Sequence, residues 1–413
     1  MRVLLLLALL LAASPAQAET VAVTNARAFT MIGNEPVENA TIVLRDGKID
    51  SVVRNGPVPA GARVVDAGGS IVTPGLMSSG THLGLIEIQD VAETNDHAAK
   101  AGSFGAGFDP STALNTNSAL LAQVRADGLT RAVTAPSASP VAPFSGLASV
   151  LRLEDSADIL DRSKVALFAT IQGGGAAGSR AVGWLELRAA LDRAKAPAKD
   201  GVADENGNAL RAVLAGKIPL VINVNRESDI RQAIQLGGDY KIRIVIGGGN
   251  EAWRVARELA ARKIPVVVNP FANIAATFET LGARPDNASL LQRAGVTLVF
   301  NIALGRGTQD AAVAVREAAG LAVAHGMPWI DALKGLTVNA AQIWGITDHY
   351  GTLAPGRDAD LVVWDGDPLE PSSAPKHVFV RGKEASRVTR QSLLRDRYAP
   401  DAAKKTEWPS AYR

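Results

Sequence analysis

Short apolar runs rich in β-branched residues recur along the middle of the chain, and helical stretches separate them. The clearest runs are Thr130 to Ala135, Val165 to Thr170, Pro219 to Val224, Ile242 to Ile246, Pro265 to Asn269 and Thr297 to Ile302. Between two of them, Trp253, Ala256 and Leu259 recur at helical spacing. Continuous apolar strands spaced by helices are typical of a parallel sheet covered on both faces. The pattern therefore predicts an α/β fold.

This alternation extends from Pro74 to about Gly345, an interval near the usual length of a (β/α)8 barrel. The flanks differ: Asp46-Gly47 separates two strand-like runs, which is a strong hairpin signal. The stretch from Gly351 to Trp364 again has a pattern of short strands and turns. We predict a TIM-barrel domain over residues 73–349, β-structure over 19–72 and 350–386, and a charged tail over 387–413.

The first eighteen residues have the features of a secretory signal peptide. Arg2 provides the positive end, Val3 to Ala13 the apolar core, and Ala16-Gln17-Ala18 the small-residue cleavage site. An uncleaved anchor is the alternative, but the apolar run is short for a bilayer span. We expect the mature protein to be secreted, and periplasmic in a bacterium, with no membrane partner after cleavage.

The amino-acid composition limits the classes of molecule that the chain could bind. The formal charge is +2, aromatic residues make up 5%, and no basic tract occurs, so nothing favours nucleic acid. Because the chain has no cysteine, it has neither disulfides nor a cysteine nucleophile. Its stability must come from its core.

Two motifs carry a resemblance to a known family. The first is Pro74-Gly75-Leu76, followed by Ser78, Gly80 and His82, which resembles the amidohydrolase pattern P-G-L-I-D-x-H-x-H-x-G. The second and more specific one runs from Gly351 to Val362 and contains Gly356-Arg357-Asp358-Ala359-Asp360. The chain is similar to metal-dependent amidohydrolases of the imidazolonepropionase-like branch. The resemblance implies a TIM barrel with a small composite β-sandwich formed by N- and C-terminal segments, and it places Asp358 and Asp360 at the seam between them.

The resemblance also implies a hydrolase acting on carbon–nitrogen bonds, such as those of cyclic amides, through a divalent metal such as zinc. Such proteins carry two histidines on strand one, a lysine or glutamate midway, histidines on strands five and six, and an aspartate on strand eight. A metal-bound water of lowered pKa is the nucleophile. In this sequence the matching positions hold Gly80, Asn223 and Gly248. The strand-eight aspartate should fall near Ala303, with Asn301 and Ile302 beside it. Of the ligand set only His82 is present, so we expect a degenerate metal site.

The other histidines have ordinary interpretations, as loop or helix-end groups. His97 follows Glu93 and Asp96 in the loop after strand one, and this group is the best substitute for the missing ligands. The runs Gly173 to Gly175 and Gly247 to Gly249 lack the lysine of a phosphate-binding loop. Three serines considered as nucleophiles have neither an elbow motif nor a predictable histidine partner: Ser137, Ser139 and Ser145.

Polar side chains follow several predicted strands and could converge above the barrel: Asn223, Asn225, Arg226, Asn269, Asn301 and Arg306. Amides and guanidinium groups bind carboxylates and hydroxyls well, although asparagine also satisfies loop backbone. We predict that this set binds a small-molecule ligand.

Two hypotheses follow. The chain is a non-catalytic protein that binds a ligand or a partner, such as a related active amidohydrolase or a second copy of itself. Alternatively, it hydrolyses carbon–nitrogen bonds at an atypical site built on His82 with Asp96 or Glu93.

Overall fold

A computed structural model describes residues 19–99, 104–138, 143–174, 178–196, 204–301 and 311–398. Two eight-stranded sheets form its framework. Both chain ends supply the first sheet: β1 (Val21–Ala28), β2 (Val37–Arg45), β3 (Lys48–Arg54), β4 (Arg63–Asp66), β5 (Ile71–Pro74), β14 (Leu361–Trp364), β15 (Pro375–Val380) and β16 (Lys383–Glu384). The middle supplies the second: β6 (Leu76–Thr81), β7 (Leu129–Thr134), β8 (Phe144–Arg152), β9 (Leu160–Thr170), β10 (Leu220–Val224), β11 (Ile244–Gly248), β12 (Val266–Val268) and β13 (Leu298–Phe300).

The second sheet is an α/β barrel whose strands follow chain order from β6 to β13. Asn301, just after β13, packs against Gly80 of β6, so the sheet curls until its edges meet. Helices pack outside it: α1 (Ala119–Ala126), α2 (Arg180–Ala194), α3 (Glu205–Leu214), α4 (Glu227–Tyr240), α5 (Ala256–Ala261), α6 (Asn287–Arg293), α7 (Ala311–Ala324), α8 (Trp329–Gly335) and α9 (Val338–Ile343). Among the residues described, none of the helices has the length and apolar character that crossing a bilayer requires.

One barrel strand departs from the predicted (β/α)8 pattern. β8 pairs antiparallel with both β7 and β9, whereas the other neighbouring pairs are parallel. Residues 135–143 connect β7 to β8, and this is shorter than the dozen or more residues that a parallel crossover needs. The prediction of an all-parallel barrel was wrong at this strand. The sequence pattern does not reveal β8, because Ser145 and Gly146 interrupt its apolar run.

The barrel strands bury both faces. Their outer face packs against the helices in the main core. Their inner face forms a separate apolar cluster, closed by Trp344 after α9, which includes Met77, Val133, Phe168, Val221, Val245, Val267 and Val299. Because side chains alternate along a strand, the residues two positions further on also face inward, above this layer.

The first sheet is composite, because β14 to β16 from the C-terminal segment join the strands of the N-terminal segment. β14 pairs antiparallel with β5, and β5 pairs parallel with β1. The strands follow one continuous path, with β4 branching from β1. The packing of this sheet as a sandwich stays a prediction. Beyond it, α10 (Arg390–Tyr398) is the described part of the predicted tail.

A buried guanidinium joins the composite sheet to the barrel. Arg131 of β7 is fully buried and pairs with Asp358 at 2.7 Å and Asp360 at 2.9 Å. Asp161 of β9 lies 3.8 Å from the same side chain. Burial raises the pKa of Asp360, and the charge of Arg131 opposes that rise. The aspartates of the second motif therefore lie at the seam that the resemblance implies.

Replacing Arg131 by alanine should strongly destabilise the protein, because buried Asp360 loses its cation and buried Asp358 keeps only the partly exposed Lys48. We expect the free energy of unfolding, measured in denaturant, to fall by roughly 3–5 kcal/mol. Arg27 forms an exposed pair with Glu38 in the composite sheet and is the matched control. Arg27→Ala should cost under about 1 kcal/mol. Equal losses in the two variants would contradict this role for Arg131.

Candidate functional site at the barrel mouth

The carboxyl edge of the barrel presents amides and glycines where the strands end. Val221, Val245, Val267 and Val299 lie in the inner apolar layer. Two residues beyond each of them stand Asn223, Gly247, Asn269 and Asn301. The inward positions above the core therefore carry neither an imidazole nor a carboxylate on these four strands.

Asn223 fills the space beside the next strand. Its Nδ2 donates to Thr170 Oγ1 at 3.2 Å. Asn223 pairs in register with Gly247, and a Cβ added there would lie 2.0 Å from Asn223 Oδ1. Gly247, rather than Gly248, is thus the β11 residue that pairs with Asn223. Asn225 packs in the same way against the next residue of β11, since its Oδ1 lies 2.5 Å from a Cβ added at Gly248.

Asn301 and Gly80 interlock across the closing seam. A Cβ added at Gly80 would lie 3.2 Å from Asn301 Nδ2 and 3.3 Å from Asn301 Cβ. The position matching the first family histidine is therefore covered by the side chain that follows β13. A histidine at residue 80 would require Asn301 to move.

His82 lies just beyond β6 and is buried, with 2% of its surface exposed. Its Nε2 is 3.0 Å from Ser137 Oγ, and its buried Nδ1 has no hydrogen-bond partner among the described residues. Burial, with a smaller contribution from His97, lowers the pKa of His82 to about 3. The imidazole is therefore neutral at ordinary pH, which is the form that can accept a proton or bind a metal.

The loop after β6 brings His97 to the same place. The His82 and His97 rings are 4.3 Å apart between centroids, and the His97 carbonyl accepts from the Ser137 amide at 2.9 Å. The His97 ring therefore contacts the buried His82, and Ser137 has a histidine partner that its sequence context does not predict. Neither contact has a signal in sequence spacing, because both depend on how the loop folds back.

The proposed loop donors do not accompany His97. Glu93 lies in a short 3₁₀ turn and is exposed, and Asp96 is exposed as well. Within the described ranges, no group of three or more histidine, cysteine, aspartate or glutamate side chains could hold a metal ion. An open catalytic zinc site needs about three such ligands. The donors present therefore do not fit the metal centre that the family implies.

The remaining predicted ligand-binding residues lie apart from His82. Asn269 accepts from the Phe271 amide at 3.2 Å and so caps a 3₁₀ turn. Arg226 follows β10 and lines a cleft of about 560 Å³ together with Arg180, Glu251, Phe278 and Leu281. Arg306 lies outside the described residues.

Comparisons with known proteins agree with this fold. The profile described as Amidohydrolase family matches residues 286–385. Amidohydrolase tasK of Hapsidospora irregularis is 40% identical over 58 residues, which are 14% of this chain and 6% of that protein. An imidazolonepropionase of Sphingopyxis alaskensis is 46% identical over 50 residues, 12% of each chain. The matched segments thus span well under two thirds of these relatives.

Among solved structures, the amidohydrolase from Thermotoga maritima MSB8 superposes with a TM-score of 0.79 at 24% identity, covering 89% of this chain and 100% of that one. This likeness shows the fold. In sequence, the chain is similar to amidohydrolases over residues 286–385. Its curated matches include imidazolonepropionases, over 8% to 12% of this chain.

Proposed function

We propose that this chain uses the amidohydrolase fold to bind a small carboxylate-bearing ligand at the barrel mouth, without metal-dependent hydrolysis. The superfamily acts on carbon–nitrogen bonds, so an amide or a cyclic amide is the natural class of ligand. The observation that carries the proposal is the interlocking of amides with glycines. Asn223 lies across Gly247, and Asn301 lies across Gly80. The resemblance implies metal-binding histidines at Gly80 and Asn223.

Arg226 provides the ligand-binding half of the proposal. The structure shows no ion pair for its guanidinium with any described residue, although the cleft also contains Glu227 and Glu251. Those two carboxylates have partners, since Glu227 pairs with Arg231 and Glu251 accepts from two backbone amides. An uncompensated guanidinium beside the exposed Phe278 suits a carboxylate attached to an apolar group.

Metal analysis of the purified mature protein tests the first half. Expressed without added chelator, it should contain well under one equivalent of zinc, iron or manganese, because the donors at the mouth do not make a site. A stoichiometric metal that disappears in a His82→Ala variant would refute the proposal. His325→Ala, at an exposed position, is the matched control.

Calorimetry with N-acetyl-L-leucine tests the second half. Arg226→Met should weaken binding about ten-fold or more, because a charge-assisted hydrogen bond is lost. N-acetyl-L-leucinamide, which lacks the carboxylate, should bind the wild type as weakly as the acid binds the variant. Arg243→Met at the opposite edge of the barrel should leave the affinity unchanged. Equal affinities of the wild type and Arg226→Met would exclude Arg226 from the site.

A second candidate function rests on His82 and Ser137. In a hydrolase of this kind, Ser137 Oγ attacks the amide carbonyl, while His82 Nε2 takes the hydroxyl proton and passes it to the leaving nitrogen. Water then releases the acyl group. The 3.0 Å contact favours this chemistry. The lowered pKa of His82 disfavours it, because so weak a base removes a hydroxyl proton inefficiently.

Turnover assays separate the two functions. If the second is correct, N-acyl amino acids or cyclic amides are hydrolysed, and both Ser137→Ala and His82→Ala lower the rate by about 10²-fold or more. His325→Ala should then retain the full rate. Turnover that survives in both site variants would reject this second function.

Export and partnership complete the proposal. We propose that residues 1–18 direct secretion, to the periplasm in a bacterium, and that the ligand-binding chain associates there with a related active amidohydrolase. The signal-like sequence and the unsuited metal donors support these two points. N-terminal sequencing of protein recovered from the periplasm would locate the cleavage site.

A further inference from the structure

A groove lies at the edge of the barrel opposite the mouth. It has a volume of about 580 Å³ and lies at the amino ends of β10 to β13, between α4 and α5. A volume of this size is in the range of small-molecule sites. Neither the family resemblance nor the proposed function at the mouth accounts for it.

The floor of the groove is apolar. Eight aliphatic side chains that are each at least nine-tenths buried line it, among them Ile234, Ile244, Leu259, Ile264 and Val296. These five belong to two helices, to the first residue of β11 and to the segments that lead into β12 and β13. Such a surface suits a hydrocarbon chain.

Two adjacent glycines of α4, Gly237 and Gly238, form one wall. At Gly237 a Cβ would lie 2.8 Å from Ile244 Cγ1, so packing explains this glycine. At Gly238 the only nearby atom is Arg262 NH1 at 3.5 Å, which is an ordinary contact. A side chain would fit there, and alanine would favour the helix over glycine. Gly238 therefore leaves space that a larger residue would fill.

Three cations line the groove: Arg243, Arg262 and Lys263. No aspartate or glutamate lines it. The closest carboxylate to Arg262 is Glu258 at 3.8 Å, and no ion pair joins Lys263 to any residue in the described ranges. Arg262 and Lys263 follow the C-terminus of α5, where cations also offset the helix dipole. Arg243 lies in the segment entering β11 and donates from one guanidinium nitrogen to the Lys217 carbonyl at 2.9 Å. A guanidinium carries five N–H donors, so further donors are available for a ligand.

From the apolar floor and this charge complementarity, we infer that the groove is a second binding site, for a free amphiphilic carboxylate. Its hydrocarbon chain lies along the isoleucines and beside Gly238. Its carboxylate contacts Arg243, Arg262 and Lys263 at the rim. The site is independent of the barrel mouth, so the proposed function can fail without affecting it.

Calorimetry with decanoate below its micelle concentration tests the inference. In an Arg226→Met background, which removes the carboxylate-binding cation proposed at the mouth, decanoate should bind with a stoichiometry of one. Gly238→Leu, which fills the groove, should weaken binding at least ten-fold, and so should Arg243→Met combined with Lys263→Met. Arg27→Met, at an exposed position of the composite sheet, is the matched control and should leave decanoate binding unchanged. Circular dichroism confirms that each variant is folded.

The neutral analogue decanol distinguishes a carboxylate site from a merely apolar one. Decanol should bind at least ten-fold more weakly than decanoate, and added salt should weaken decanoate binding alone. Unchanged affinity in Gly238→Leu, equal affinities of decanol and decanoate, or no saturable binding of decanoate would each overturn the inference. If Gly238→Leu does not fold, Gly238→Val and the cation variants decide.

Discussion

The ion pairs of Arg131 fix the position of the composite sheet relative to the barrel. The chain passes from the composite sheet into the barrel at Gly75, and the Gly75 amide donates to the Asp360 carbonyl at 2.9 Å. The Asp360 side chain pairs with Arg131 on the neighbouring barrel strand. Tyr350 OH donates to the Gly75 carbonyl. Gly75 must be glycine, because an added Cβ would lie 2.0 Å from Thr130 Oγ1. The position of β6, and hence of His82, follows from this junction.

Strand alternation then determines which residues reach the mouth. Met77 faces the inner core, and Ser79 accepts a hydrogen bond from Trp344 Nε1 in the same layer. The pairing of β6 with β7 shifts register between Ser78 and Thr81, and after the shift Gly80 faces Asn301. Small changes of register at this strand would alter the whole site, because a one-residue slip reverses the faces.

Much of the fold could be predicted from apolar runs and the two motifs, since both are local signals. Seven of the barrel strands lie within or beside predicted segments. The antiparallel β8 could not be predicted, because Ser145 and Gly146 interrupt its apolar run. Its direction also depends on the two short connections to β7 and β9. The site was harder still. His97 reaches His82 through a folded loop, and the pairing of Asn301 with Gly80 joins residues from opposite ends of the barrel domain.

The side chains that line the mouth are coupled by packing rather than independent. Each glycine admits the amide opposite it, so a histidine introduced at residue 80 or 247 would meet Asn301 or Asn223. Placing histidines there therefore requires paired substitutions on neighbouring strands, because close packing leaves little room for a single one. The same packing fills the space between the strand ends with hydrogen-bonded side chains such as Asn223, which donates to Thr170. The ligand that we propose for the mouth would therefore meet polar groups that their neighbours hold in place, and little of its binding energy would be spent on ordering them.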